Sequence, residues 1–148
     1  MRILVTRPGE DGISLAELLN VAGINSIVDP LMSIQQIHGP QLKLEGVQAL
    51  LLTSANGVRA LVNRSSRRDI PIYAVGEATA TSARKFGFLQ VHSADGNVDM
   101  LVELVENILK PEDGSLLHIA GSSIAGDLIK LLSNRGFQCS REILYKTN

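Results

Sequence analysis

The chain has 148 residues, 45% of them apolar and 20% charged, which is ample material for a packed core and excludes a disordered chain. Its formal net charge of −1 gives no global positive field to attract nucleic acid or an anionic membrane surface, and no apolar run approaches the length of a membrane span. Aromatic residues make up 3%, with no Trp, so the core falls to Leu, Ile, Val and Ala, the usual material of helices packed on parallel sheets.

Read from the start, residues 3–5 (Ile-Leu-Val) predict a first strand, with no apolar signal-peptide core. Residues 14–21 predict a helix with Leu15, Leu18 and Leu19 on one face, stopped by Gly23, and residues 27–28 a second strand. The rhythm then breaks. Residues 30–44 hold two prolines, a glycine and the alternating Ser33-Ile34-Gln35-Gln36-Ile37-His38, which suits an exposed extended connector better than a core strand.

Beyond it the βα alternation resumes. Strands are expected at 49–52, 72–75, 90–91, 116–119 and 142–145, with helices from about Ala55, over 77–86, over 98–109 and over 124–134, the last ended by Gly136. The expected organisation is therefore an incomplete β-α-β first domain at 1–30, a connector at 31–44, a complete parallel-sheet α/β domain of three layers at 45–142, and the start of a returning connector at 143–148. A β-α-β piece buries too little surface to stand alone, so self-association or domain swapping through it is also expected.

Four strands run into turns of small polar or Gly residues that open helices: Thr53-Ser54-Ala55-Asn56-Gly57, Gly76-Glu77-Ala78-Thr79-Ala80, Ser93-Ala94-Asp95-Gly96-Asn97 and Gly121-Ser122-Ser123-Ile124-Ala125-Gly126-Asp127. In a parallel sheet such turns lie along one edge, at the carboxyl ends of the strands, where α/β folds bind ligands. Each turn by itself reads equally well as a simple N-cap. As a row they form a rim of helix N-termini suited to a ligand rich in carboxylates or phosphates.

Conventional catalytic machinery has no support. His38, His92 and His118 have no metal-ligand spacing, and His118, among apolar neighbours, reads as a buried, hydrogen-bonded core histidine. A phosphate-binding Walker loop and a dinucleotide fingerprint are absent, and Thr53-Ser54-Ala55-Asn56-Gly57 is not a nucleophile elbow, so acyl transfer has no support. Cys139 is the only cysteine, which excludes an internal disulfide and fits a cytoplasmic setting. The basic cluster Arg64-Ser65-Ser66-Arg67-Arg68 reads either as a solvated loop or as an element steering a polyanion.

The segments Val5-Thr6-Arg7-Pro8, Leu52-Thr53-Ser54-Ala55-Asn56-Gly57-Val58-Arg59-Ala60, Ala74-Val75-Gly76-Glu77-Ala78-Thr79-Ala80, Leu117-His118-Ile119-Ala120-Gly121 with Gly126-Asp127-Leu128, and Leu144-Tyr145 resemble uroporphyrinogen-III synthases, the bacterial ones especially. They occur over the entire chain in that family's order and spacing. The resemblance implies a uroporphyrinogen-III synthase-like, flavodoxin-like fold of two α/β domains on a two-stranded connector, with this chain ending before the first domain is complete. It implies a lyase that closes hydroxymethylbilane, a linear tetrapyrrole with eight carboxylates, into uroporphyrinogen III. Water is lost, the last pyrrole ring is inverted, and no cofactor takes part. Carried over by position, Arg7, Thr53, Ser54, Asn56, Gly76, Thr79, Gly121 and Ser122 would bind substrate and Tyr145 would be the general acid. At this length the expected activity is poor or nil. The alternative is a non-catalytic flavodoxin-like or receiver-like binding module, although a receiver would need acidic residues at its strand ends where this chain has Thr53, Gly76 and Gly121.

Overall fold

The structure is a computed structural model that describes residues 2–5, 25–28, 34–123 and 127–147. The chain divides into two compact units, Met1–Gln35 with Lys146–Asn148, and Gln36–Tyr145. In the first unit, strand β1 (Arg2–Val5) pairs in parallel with β2 (Asn25–Val28), Arg2 opposite Asn25 and Val5 opposite Val28. The helix expected at 14–21 and Arg7 lie outside the described residues.

The rest is built on a six-stranded sheet. Its strands are β3 (Ile34–Gln36), β4 (Val47–Leu52), β5 (Ile72–Ala74), β6 (Val91–Ser93), β7 (Ser115–Gly121) and β8 (Cys139–Thr147), in the spatial order β3-β8-β7-β4-β5-β6. The pairs β4–β5, β4–β7, β5–β6 and β7–β8 are all parallel. Four helices alternate with the strands: α1 (Ala55–Arg64), α2 (Glu77–Lys85), α3 (Val98–Ile108) and α4 (Leu128–Ser133).

Why the sheet is covered on both sides follows from its sequence. Leu50, Leu51 and Leu52 are consecutive and all buried, which a strand with one wet face would not permit. Alternation sends Ala49 and Leu51 to one face, where they pack with Tyr73 and Leu116 against Leu101, Val102 and Val105 of α3 and Leu128 and Leu132 of α4. Leu52 points to the other face, towards Gly57 of α1, and α1 packs beside α2. The contact face of α2 is Thr79, Ala80 and Ala83, whose small side chains let the helix lie close to the sheet. Three layers result, as expected.

Three differences from the sequence reading have local causes. Residues 34–36, expected as part of an exposed extended connector with no strand of their own read from the pattern, form a short edge strand, with the Ile37 N–H donating to the Leu144 carbonyl at 2.8 Å. The last strand is longer than 142–145 and starts at Cys139, because Leu116 opposite Cys139 and Leu117 opposite Ser140 continue the ladder through polar residues that hydrophobic patterning passes over. Helix α4 is shorter than 124–134, running only over Leu128–Ser133 within the described residues.

The basic cluster is structural. Arg64, at the carboxyl end of α1, donates from Nε to the Pro40 carbonyl (2.9 Å) and from Nη1 to the Ile37 carbonyl (3.0 Å), tying residues 37–40 to that helix. Arg67 pairs with Asp69 at 2.9 Å, and Arg68 bonds the Phe86 carbonyl while lying over the Phe88 ring. Gly114, just before β7, has φ +146°, and a methyl group on it would come within 2.8 Å of the Gly46 carbonyl oxygen. Gly114→Ala is therefore expected to destabilise the protein by about 1–3 kcal/mol, while Gly76→Ala, at an extended residue with open space around it, leaves urea-unfolding midpoints nearly unchanged.

Candidate functional site

The winding of the sheet fixes where a ligand can sit. From β4 the chain steps through α1 and α2 on one face to β5 and β6. It then returns through α3 on the opposite face to β7, on the other side of β4. Beyond the carboxyl ends of β4 and β7 the connections therefore diverge to opposite faces and leave a crevice, the switch point at which open α/β sheets bind ligands. A cavity of about 380 Å³ lies there, lined by Thr53 and Ser54 after β4, Val75 after β5, Asn97 and Val98 at the start of α3, His118, Ala120 and Gly121 of β7 with Ser123 after it, and Tyr145 of β8.

Ser54 is the N-cap of α1, its Oγ accepting the Gly57 N–H at 3.2 Å. The same Oγ lies 2.7 Å from the Tyr145 hydroxyl, joining groups 91 residues apart. Tyr145 is 7% exposed, with its ring against the backbone of Gly121, where an added methyl would come within 2.3 Å of the ring; only glycine leaves the tyrosine room. The Ser122 N–H donates to the Tyr145 carbonyl at 2.9 Å and holds the same residue from its backbone side. Asn97 caps α3 through the Met100 N–H at 3.1 Å. Two of the turns thus combine capping with a place on the cavity wall.

Of the residues nominated from the sequence, Thr53, Ser54, Gly121 and Tyr145 share this wall. The others lie off it. Asn56 accepts from Arg59 Nη2 at 2.6 Å, Gly76 caps α2 without lining the cavity, Thr79 is 5% exposed on the buried face of α2, and Ser122 is exposed at the edge. Arg7 lies outside the described residues.

His118 is the residue whose place on this wall sequence patterning missed. It is 3% exposed, with Nε2 3.3 Å from Thr53 Oγ1 and Nδ1 3.5 Å from Arg141 Nε. Burial, reinforced by the nearby Arg141 charge, pushes its pKa down from 6.5 to about 4, so the imidazole is neutral at pH 7. Its alternation into a continuous apolar strand read as core, correctly; only the register opposite Leu51 puts it two residues short of Thr53 at the cavity. Cys139 is no nucleophile, because burial pushes its thiol up to about 11. Among the described residues no three His, Cys, Asp or Glu side chains come together as metal ligands, and no helix is long and apolar enough to cross a membrane.

A three-layer parallel α/β fold with a cavity at its switch point is the architecture in which open α/β sheets bind small ligands. Comparison with solved structures narrows the class. Uroporphyrinogen-III synthetase from Helicobacter pylori aligns at TM-score 0.66 with 19% identity, over 99% of this chain and 61% of that one. A mutant uroporphyrinogen III synthase from the extremely thermophilic bacterium Thermus thermophilus aligns at TM-score 0.63 with 16% identity, over 99% and 62%. Comparison with curated proteins gives no match. The family model for uroporphyrinogen-III synthase HemD matches residues 13–148, and the chain belongs to that family. It spans about three fifths of the length of the solved synthases it matches.

The depressed His118 pKa has a consequence for stability. Its folded value lies below the unfolded 6.5, so between pH 6.5 and about 4 the unfolded chain binds a proton that the folded chain refuses. The stability contribution is intact above pH 6.5 and is lost as pH falls towards 4, by about 3 kcal/mol at most. Urea unfolding from pH 7 to 4 should show His118→Gln losing less stability over this window than the wild type.

Proposed function

We propose that this chain is the tetrapyrrole-holding part of a uroporphyrinogen-III synthase and that the cavity at the carboxyl ends of β4 and β7 takes hydroxymethylbilane. The observation that carries the reading is the Ser54–Tyr145 hydrogen bond at the mouth of a helix N-terminus, beside Thr53 and inside a family match that covers the site. Among the described residues the cavity lining contains no Lys, Arg, Asp or Glu, so carboxylates are received by hydroxyls and by N–H groups at the starts of α1 and α3.

In the proposed reaction Tyr145 is the general acid. Its proton leaves with the terminal hydroxyl of the substrate as water, while the Ser54 hydroxyl, 2.7 Å away, donates to the phenolate oxygen left behind. The proton released when the inverted ring regains aromaticity restores the phenol, so no proton is gained or lost by the protein. Holding the two substrate ends together supplies much of the rate by proximity.

Residues 31–44 and 143–148 are proposed as the two strands of a connector between domains at 1–30 and 45–142. In support, β3 and β8 are neighbours in the sheet, and both contain residues from each of the two compact units. Self-association through residues 1–30 and a cytoplasmic setting belong to the same proposal.

Since a polypeptide of these 148 residues spans 61% of the length of a solved synthase, the expectation for it is binding with little or no turnover. The test feeds it hydroxymethylbilane generated in situ and separates the oxidised uroporphyrin isomers by chromatography, with uroporphyrin affinity measured by fluorescence quenching. Quenching that weakens about tenfold in Ser54→Ala, with isomer I dominating the products, is the expected result. Abundant isomer III would show that these residues suffice for catalysis, making Tyr145→Phe the decisive variant, and no affinity for uroporphyrin would contradict the proposal.

A further inference from the structure

The contact between Arg141 and His118 settles which way Thr53 points. Residues 118 and 141 are opposite each other in the β7–β8 ladder, and Leu51, two residues before Thr53, is opposite His118 in the β4–β7 ladder. Arg141, His118 and Thr53 therefore stand in a row on one sheet face, leading from β8 to the cavity wall. An arginine Nε–H only donates. With that donor 3.5 Å from His118 Nδ1, this nitrogen must be the acceptor, since a proton on it would set two donors against each other. The single proton of the neutral ring then sits on Nε2, 3.3 Å from Thr53 Oγ1. Accepting there, the Thr53 hydroxyl has its own proton left to donate, and Thr53 lines the cavity.

We infer that His118, locked by Arg141 in the Nε2–H form, is a positioning residue that turns the Thr53 hydroxyl into a dedicated donor for a carboxylate of the ligand. The inference rests on the proposed function for the identity of that ligand. His118 itself touches no reacting atom; it acts through Thr53.

Two measurements test it. Long-range proton–nitrogen correlation spectra of the wild-type chain at pH 7 report the imidazole tautomer directly. A protonated Nε2 with a bare Nδ1 is expected, and a protonated Nδ1 or an imidazolium would overturn the inference.

The second is a cycle of uroporphyrin affinities, with folding of each variant verified by circular dichroism. Thr53→Val and His118→Phe should each weaken binding about tenfold. The double variant should be no weaker than either, because both changes delete one donor. His118→Gln, which keeps an N–H near the Nε2 position, should stay within about threefold of the wild type. Losses that multiply to about a hundredfold, or full affinity in His118→Phe, would reduce His118 to packing and overturn the inference. Absence of uroporphyrin binding by the wild-type chain would count against the proposed function, and the tautomer would then decide the positioning inference alone.

Discussion

The site depends on one topological constraint, the parallel alignment of β4 with both β5 and β7. Parallel pairing puts every strand-to-helix turn at the same edge, and reversal of winding at β4 parts the turns after β4 and β7. Without that reversal α1 and α4 would leave on the same side and fill the crevice. With it, Thr53 and Ser54 line the crevice together with Ala120 and Gly121, and β8, added in parallel outside β7, brings Tyr145 to the same edge. Residues distant in sequence converge because the register of the ladders, not any local motif, sets their heights.

Packing and polar satisfaction then refine the site. The ladder between β7 and β8 is irregular between Ala120 and Gly121, and it is there that the Tyr145 ring closes on Gly121. A buried hydroxyl or imidazole would be costly if unpaired, and here each has a partner: Tyr145 with Ser54, His118 with Thr53 and the half-buried Arg141. Placing a histidine in an apolar layer costs acid tolerance, which is the energetic counterpart of keeping that imidazole neutral at the cavity. The exposed ion pairs, such as Arg84 with Glu77, contribute little by comparison.

The βα rhythm was legible because each element carries its own signal: the unbroken Leu50-Leu51-Leu52 run for a strand covered on both faces, and Ser54 and Asn97 as caps that start helices where expected. Thr53, Ser54, Gly121 and Tyr145 were legible as residues of one edge because strand-end turns share an edge in any parallel sheet, and because the family resemblance marks them. The edge strand at 34–36 and the early start of β8 at Cys139 were not, since edge pairing rests on backbone hydrogen bonds that leave no apolar pattern. Nor was the place at the cavity of His118, whose apolar neighbours identify it as core while only cross-strand register sets it beside Thr53. Helical periodicity leaves Thr79, equally polar in sequence, on the buried face of α2 and off the cavity wall.

The most direct test of the central claim, that a tetrapyrrole occupies the switch-point crevice, is a titration of the isotopically labelled chain with uroporphyrin followed by amide chemical shifts. Saturable changes concentrated at residues 53–57, 97–100, 121–123 and 145 are the predicted result. A second cavity beside Pro40, Lys43, Arg64 and Glu142 offers a built-in control. Shifts confined to that cavity, or none at all, would contradict the assignment of the ligand to the carboxyl edge of the sheet.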